Sequence, residues 1–476
     1  MLPQDQKLPF FFGNSTRYWI FGLSTLCLTL IVANSLALNF TVICMVEEDE
    51  WNVDLNSTRE RDSNPYSYVE IPSYRNALFA ATAIGSLLGA VPLGALSARF
   101  SLRLLFTIYG LLSTLSMLFT PLAAFYGFWP LFVMRLLQGA GVAMFYFAIS
   151  AINSAWAPLA SSATMMNLIS TNNQLGVILI MPLAGNFCET TLGWPAVFYF
   201  QGVFSLACFV MFYLFFADSP RIHKCISEKE LKMIEEGKFD NTGKTPQTVP
   251  YKAMLTDSVV WAAMIALFCD AIGFQVFTQY GPLYLNKALN INVRETGLAA
   301  ALPSVLTILV KLFTGPLYDR MAFSQTFRVK FFTSICELGM AFCFFALAIL
   351  QSIPNCPAWI MQIFFTASTP FSGMNFLGVV KSAQLISGKY SPVLMAWYTL
   401  IDGGTVLILP LLVNFIAPEG TLVQWGRIFV AFGVIEVLAV ILFDIIGSGE
   451  PRSWTKSEIF IDEKKEAKHD LKLQHY

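Results

Sequence analysis

The chain has 476 residues, 55% of them hydrophobic and only 13% charged, and its mean hydropathy is +0.59. A soluble domain carries about 25% charged residues, so the composition excludes an ordinary soluble protein and points to a chain that crosses a membrane many times. A formal net charge of −1 says nothing about partners, and no basic patch points to nucleic acid.

Apolar runs of about 20 residues recur along the chain, each long enough to span a bilayer as a helix. About twelve are counted, at 18–46, 74–97, 102–125, 128–150, 163–186, 195–216, 256–281, 296–318, 327–350, 357–380, 392–415 and 423–447. None shows the period-2 alternation of a membrane barrel, so they are read as helices. The expected fold is therefore an all-α polytopic membrane protein with two six-helix halves. The halves run over 1–216 and 256–447, separated by a central loop at 217–255 and followed by a charged tail at 448–476.

The first run carries Asn34, Ser35 and Asn39. It leads into an acidic loop whose Asn56-Ser57-Thr58 is a glycosylation acceptor if the loop lies outside or in a lumen. Asn14-Ser15-Thr16 has the same pattern but lies on the expected cytoplasmic side. Arg99 and Arg103 follow the second run, Arg320, Arg328 and Lys330 the eighth, and Lys381 and Lys389 the tenth. The positive-inside rule then places both termini in the cytoplasm. The first run is too long for a cleaved leader and reads as a retained span.

The fourth run has Arg135 in its first turns and Gln138 one turn later. A charge inside a membrane helix costs several kcal/mol, roughly, unless it faces protein, a wet cavity or an anionic partner. Arg135, Gln138 and Val142 share one helical face, while Gly139 and Ala143 offer a small-residue face for a close helix contact. Two readings of Arg135 stand: a substrate or gating residue, or a structural cation that snorkels or pairs with a carboxylate.

Gly94-Ala95-Leu96-Ser97-Ala98-Arg99 after the second run matches Gly315-Pro316-Leu317-Tyr318-Asp319-Arg320 after the eighth. This G-x-L-x-[AD]-R repeat implies parallel halves related about the membrane normal. It makes Gly94, Arg99, Arg103, Gly315, Asp319 and Arg320 gating candidates, since Arg and Asp can cap helix ends or latch a loop. Asp402 lies mid-run in the eleventh span and is a candidate for ion coupling. The alternative is a structural pair with a basic side chain such as Lys311.

Other features argue against enzyme chemistry. Gly243-Lys244-Thr245 resembles the end of a phosphate loop, but Gly237 is misplaced for one. His223, His469 and His475 fall outside the runs, which excludes a histidine relay or His-ligated metal within the membrane. No nucleophile–base pair or metal cluster is present, and no cofactor is expected. The cysteines read as packing residues, with a Cys188–Cys356 bridge left open.

Several motifs together make the chain resemble the major facilitator superfamily. They include Arg135-Leu136-Leu137-Gln138-Gly139, Trp156-Ala157-Pro158, Pro182-Leu183-Ala184-Gly185 and Gly193-Trp194-Pro195-Ala196-Val197-Phe198-Tyr199. Asp218-Ser219-Pro220, Ala301-Leu302-Pro303 and Phe371-Ser372-Gly373 continue the pattern. Within the superfamily the chain resembles the anion:cation symporter family of sodium–phosphate cotransporters, sialin and vesicular glutamate transporters. It departs from that pattern at Ala37, Phe79, Val142, Phe147 and Gly388-Lys389, where relatives carry arginine, histidine, glutamate, proline and Pro-Arg.

The resemblance implies a secondary transporter that moves a small organic or inorganic anion by alternating access. Na+ or H+ would be a co-transported ion. It implies that spans one, four, seven and ten line a cavity, with Asn39, Arg135, Gln138, Gln275, Gln279, Tyr280 and Asn375 as substrate-binding candidates. The chain is expected to act as a monomer in the lipid bilayer of the plasma membrane or of a lysosome or vesicle. A transporter-fold receptor or scaffold that binds without translocating is the alternative.

Overall fold

The computed structural model describes residues 13–51, 66–69, 71–188, 190–236, 249–284, 293–353, 356–417 and 421–456. Asn56, the Gly243-Lys244-Thr245 segment and the side chain of Cys188 lie outside what it describes. Cys356 is an unbridged thiol.

Twelve spans are present. The first six are Thr16–Trp51, Pro72–Ser97, Leu102–Tyr126, Phe128–Trp156, the pair Ser162–Ile169 and Asn172–Cys188, and Gly193–Phe215. The second six are Ser258–Leu283, Val293–Arg320, Gln325–Gln351, Ala358–Ser387, Ser391–Ile416 and Leu422–Ile446. Among the described residues, ten helices are long and apolar enough to cross a membrane by composition alone. The fifth and eighth spans complete the set. One is broken at Ser170–Thr171, and the other carries Lys311, Asp319 and Arg320. Three spans have irregular middles. The fourth kinks where Val142 gives way to Met144, and the tenth contains a 3-10 turn over Gly373–Phe376.

Helix starts follow local capping chemistry. Ser101 accepts from the Leu104 N–H at the start of the third span, and Ser324 from the Phe327 N–H at the start of the ninth. These equivalent caps sit just after the two repeat motifs and satisfy backbone donors that the helix itself cannot. Thr421 and Gln424 form a capping box on the twelfth span.

Helix pairing repeats between the halves. The pairs 2–4, 1–5, 3–4, 3–6 and 1–6 of the first half recur as 8–10, 7–11, 9–10, 9–12 and 7–12 of the second. The halves meet through the second and eleventh spans and through the fifth and eighth. This is the arrangement that two parallel repeats produce.

The central loop and the tail attach at the end of the bundle that carries the termini, called here the terminal end. The short helix Glu228–Glu235 presents buried Glu230, whose carboxylate accepts from the Thr16 N–H at 3.1 Å and the Arg17 N–H at 2.9 Å. A carboxylate at a helix N-terminus is favoured by the helix dipole. In the tail, Arg452 and the Trp454 indole both donate to Asp257 at 2.8 Å, just before the seventh span.

Candidate functional site

The first centre is built by backbone contact. A Cβ at Gly85 of the second span would lie 2.0 Å from the Leu136 carbonyl oxygen, and one at Gly139 of the fourth span 2.0 Å from that of Thr82. Only paired glycines let these spans touch backbone to backbone. The contact continues at Gly89, where a Cβ would come within 3.0 Å of Ala143. It fixes Arg135 beside the second span.

Arg135 is fully buried. Its Nε donates to the Leu78 carbonyl at 3.3 Å, and Nη1 to the Ser35 carbonyl at 2.8 Å and Gln138 Oε1 at 2.9 Å. Nη2 donates to Asn39 Oδ1 at 3.0 Å. Gln138 is held in turn by Nε2 donating to Thr120 Oγ1 at 2.9 Å. Guanidinium has five N–H donors, and these bonds use four. Every acceptor is a neutral oxygen. Apart from residues 47–50 at its outer tip, no Asp or Glu occurs in any span of the first half. Of the side-chain partners only Asn39 is exposed, so it forms the cover over this cation.

A second cation spans the halves. Lys311 of the eighth span is buried, and its Nζ donates to the carbonyl and the hydroxyl of Ser170, each at 2.9 Å, and to Gln174 Oε1 at 3.3 Å. It also lies 5.0 Å from the centroid of the Phe376 ring. The expected partner of Lys311 was Asp402 or solvent at the interface. Three acceptors on the fifth span take all its donors instead.

The terminal end is closed by polar contacts between the halves. Asp319 accepts from the Ala163 N–H at 3.2 Å and from the Thr164 N–H at 2.8 Å, and also from the Thr164 hydroxyl. It thereby caps the fifth span from the opposite half. A Cβ at Gly315 would approach Thr164 Cα at 3.0 Å, so the small residue lets the eighth span come this near. Lys381 donates to Ser162 at 2.8 Å and Gln384 donates to Ser154 at 2.9 Å. Ser150 and Ser391 share a bond of 2.7 Å. Above them Tyr146 stacks on Phe376 with centroids 5.8 Å apart, and Tyr398 meets the Tyr146 ring edge-on at 6.2 Å. This aromatic layer lies over the closed end, between the fourth, tenth and eleventh spans.

The other candidates scatter. Gln279, exposed, donates to half-buried Gln275 at 3.3 Å on the same helix. Tyr280 turns into the second-half bundle, 6.1 Å from Trp425. Asn375 is buried and donates to Asp270, away from Arg135. Asp402 is half-buried, and its carboxylate has no hydrogen-bond partner among the described residues. In the first repeat motif, Gly94 has only Val393 at 4.0 Å from an added Cβ. Arg99 and Arg320 are exposed. The Arg103 N–H donates to Asp218 at 2.9 Å, and its Nε donates to the Tyr213 carbonyl at 2.6 Å.

Sequence reasoning passed over Asp270, Glu337 and Glu436, all buried in second-half spans. The signal was present, because each interrupts a long apolar run.

The comparisons agree with this architecture. The model of the Major Facilitator Superfamily matches residues 25–391. Sheep sialin is 27% identical over 79% of this chain and 75% of its own length. Human sodium-dependent phosphate transport protein 1 is 26% identical over 95% of this chain and 97% of its own. A mouse probable small intestine urate exporter is 24% identical over 94% and 93%. Among solved structures, the proton:xylose symporter XylE superposes with a TM-score of 0.67 at 16% identity, covering 92% of this chain and 98% of that one. These relatives are transporters, and none favours a binding-only scaffold or an enzyme. With twelve spans in two repeated halves and a family match across most of its length, the chain belongs to the major facilitator superfamily of membrane transporters.

Proposed function

We propose that this secondary transporter moves a small organic or inorganic anion, and that Arg135 meets the anion's charge. One observation carries the reading: Arg135 is fully buried and no carboxylate neutralises it. A buried charge held only by neutral dipoles is costly, and an incoming anion offsets that cost. The anion enters by displacing Asn39 Oδ1 from Nη2. This frees both N–H donors of Nη2 for oxygens of the anion, while Nε and Nη1 keep their protein acceptors.

The relatives support the substrate class through their names, which include a phosphate transport protein and a urate exporter. The terminal end would face the cytoplasm, the 47–73 loop the lumen or exterior, and Asn56 would carry a glycan. A monomer in the plasma membrane or a lysosomal or vesicular membrane fits this reading, with Na+ or H+ as the coupled ion. Gln279, Gln275, Tyr280 and Asn375 would line or support the path on the second-half side. Asp319 and Lys311 would hold the cytoplasmic gate shut.

The test is uptake of labelled phosphate, urate, sialate and glutamate into proteoliposomes, with and without Na+ and pH gradients. Transport of one of these, lost in Arg135→Ala at equal folded protein, is the expected result. Normal transport per molecule in Arg135→Ala moves the anion site elsewhere.

A further inference from the structure

Three carboxyl side chains of the second half meet at one depth. Asp270 lies twelve residues into the seventh span, Glu337 twelve into the ninth, and Glu436 ten from the end of the twelfth. At 1.5 Å per residue all three stand about 15–18 Å from the terminal end. The ninth and twelfth spans pack along their length, and the seventh packs on the twelfth. Gly273, one turn beyond Asp270, leaves the space that Glu436 enters: a Cβ there would lie 2.4 Å from Glu436 Oε1 and 2.9 Å from Met340 Cε. Met340 is itself one turn beyond Glu337. Gly273 thus brings Glu436 together with the turn of the ninth span that begins at Glu337.

Both glutamates are fully buried, and all four of their carboxylate oxygens lack a hydrogen-bond donor among the described residues. Asp270 is different, because Asn375 and the Cys336 thiol both donate to it. Two adjacent carboxylates without donors cannot both stay ionised in so apolar a place. A metal ion fits less well. Met340 shares the space at Gly273 with Glu436, and the described residues hold no group of three acids, histidines or cysteines placed to ligate one.

We propose that Glu337 and Glu436 form a proton-binding site that is loaded and emptied during transport, with Asp270 and Asp402 as its link to the central path. Asp402 is half-buried on the eleventh span, which packs against the seventh span that carries Asp270. The step is balanced: one carboxylate oxygen takes a proton from water to become a carboxylic acid, and the acid later returns it. The other titratable groups facing the site are Cys269 on the seventh span, Cys336 on the ninth and Asp444 on the twelfth. Lys311 on the eighth feels Asp270, and the tenth contributes neutral Asn375. This rests on the transport reading only for its role in the cycle; the binding of the proton does not.

Infrared difference spectra of the purified full-length protein, taken from acid to alkaline pH, test the binding. A protonated-carboxyl band that disappears as pH rises, and that is missing from both Glu337→Gln and Glu436→Gln, is expected. No titrating band in the wild type, or one unchanged in both variants, overturns the site. In proteoliposomes with the anion that the wild type transports, both variants should still exchange labelled for unlabelled anion but lose at least about tenfold of the acceleration by a pH gradient. Retained acceleration in both overturns the role in the cycle. If the wild type exchanges no anion while the band titrates, the transport reading fails and the proton site stands.

Discussion

The two halves repeat the same helix pairs yet solve opposite charge problems. The first half buries one cation, Arg135, among backbone-carbonyl and side-chain amide oxygens, and its described spans contain no acid at depth. The second half buries Asp270, Glu337 and Glu436, and its own deep lysine reaches out to the first half. A repeated scaffold is thus divided electrostatically, with a buried cation in one half and buried carboxyl groups in the other. The buried bridge from Lys311 to Ser170 and Gln174 crosses the boundary between them.

The largest expected effect comes from breaking the cationic half. Arg135→Ala should weaken anion binding by about 30- to several-thousand-fold, since losing one partner of a buried charge-assisted contact costs about 2–5 kcal/mol. Arg135→Lys keeps the charge without the planar fork and should retain more binding of a compact anion than of a carboxylate. Uptake normalised to folded protein reads both. If Lys and Ala variants are equally dead for every anion, the charge is not what matters.

The latch is present in only one copy of the repeat, because Ala98 stands where the second copy has Asp319. Asp319→Ala removes three acceptor contacts and should shift the balance between open and closed terminal ends by about 1–3 kcal/mol, or about 5- to 150-fold. Labelling of a cysteine placed at Ser162 should speed up accordingly. An unchanged labelling rate would show that Lys381, Gln384 and Ser150 close the end without it.

Asp402→Asn tests the acidic half from its exposed side. Exchange of anion should persist while the response to a pH or Na+ gradient falls several-fold. Both responses unchanged would remove Asp402 from coupling.

The smallest effect is at the tail. Burial raises the Asp257 carboxyl, but bonds from Arg452, Trp454 and the Val259 N–H outweigh it and hold the group below the usual carboxylate range. A depressed folded value means stabilisation that is full above the ordinary value and is lost as pH falls through the folded one. Release of residues after 447 to protease should therefore rise below about pH 4, the ordinary carboxylate range. Asp257→Asn should loosen this clasp by about 1 kcal/mol at neutral pH. A protease rate independent of both pH and the substitution would rule the clasp out.

The spans were legible in the sequence because each is a long, predominantly apolar run; most ends fell within three residues of the observed ones, while the first, fourth and tenth spans run on to Trp51, Trp156 and Ser387. The repeat motif was legible for the same reason: it is local. What was not legible was the choice of partners. Lys311 could be placed in a membrane but not assigned to Ser170, since that bond depends on how the eighth span lies against the fifth. Gln275 and Gln279 share a helix face, and their pairing was available from spacing alone. Asp270, Glu337 and Glu436 interrupt their runs as Asp402 does, but their convergence depends on how the seventh, ninth and twelfth spans pack.

Asp319 has one further consequence. While the terminal end is closed, this carboxylate alone serves the Ala163 and Thr164 N–H groups and the Thr164 hydroxyl. When the halves part, three donors and a carboxylate lose one another at once, and water must replace each lost bond. Opening this end is therefore a wetting event as much as a mechanical one. Solutes that lower water activity without entering the gap should slow it, while leaving the opposite end of the molecule untouched.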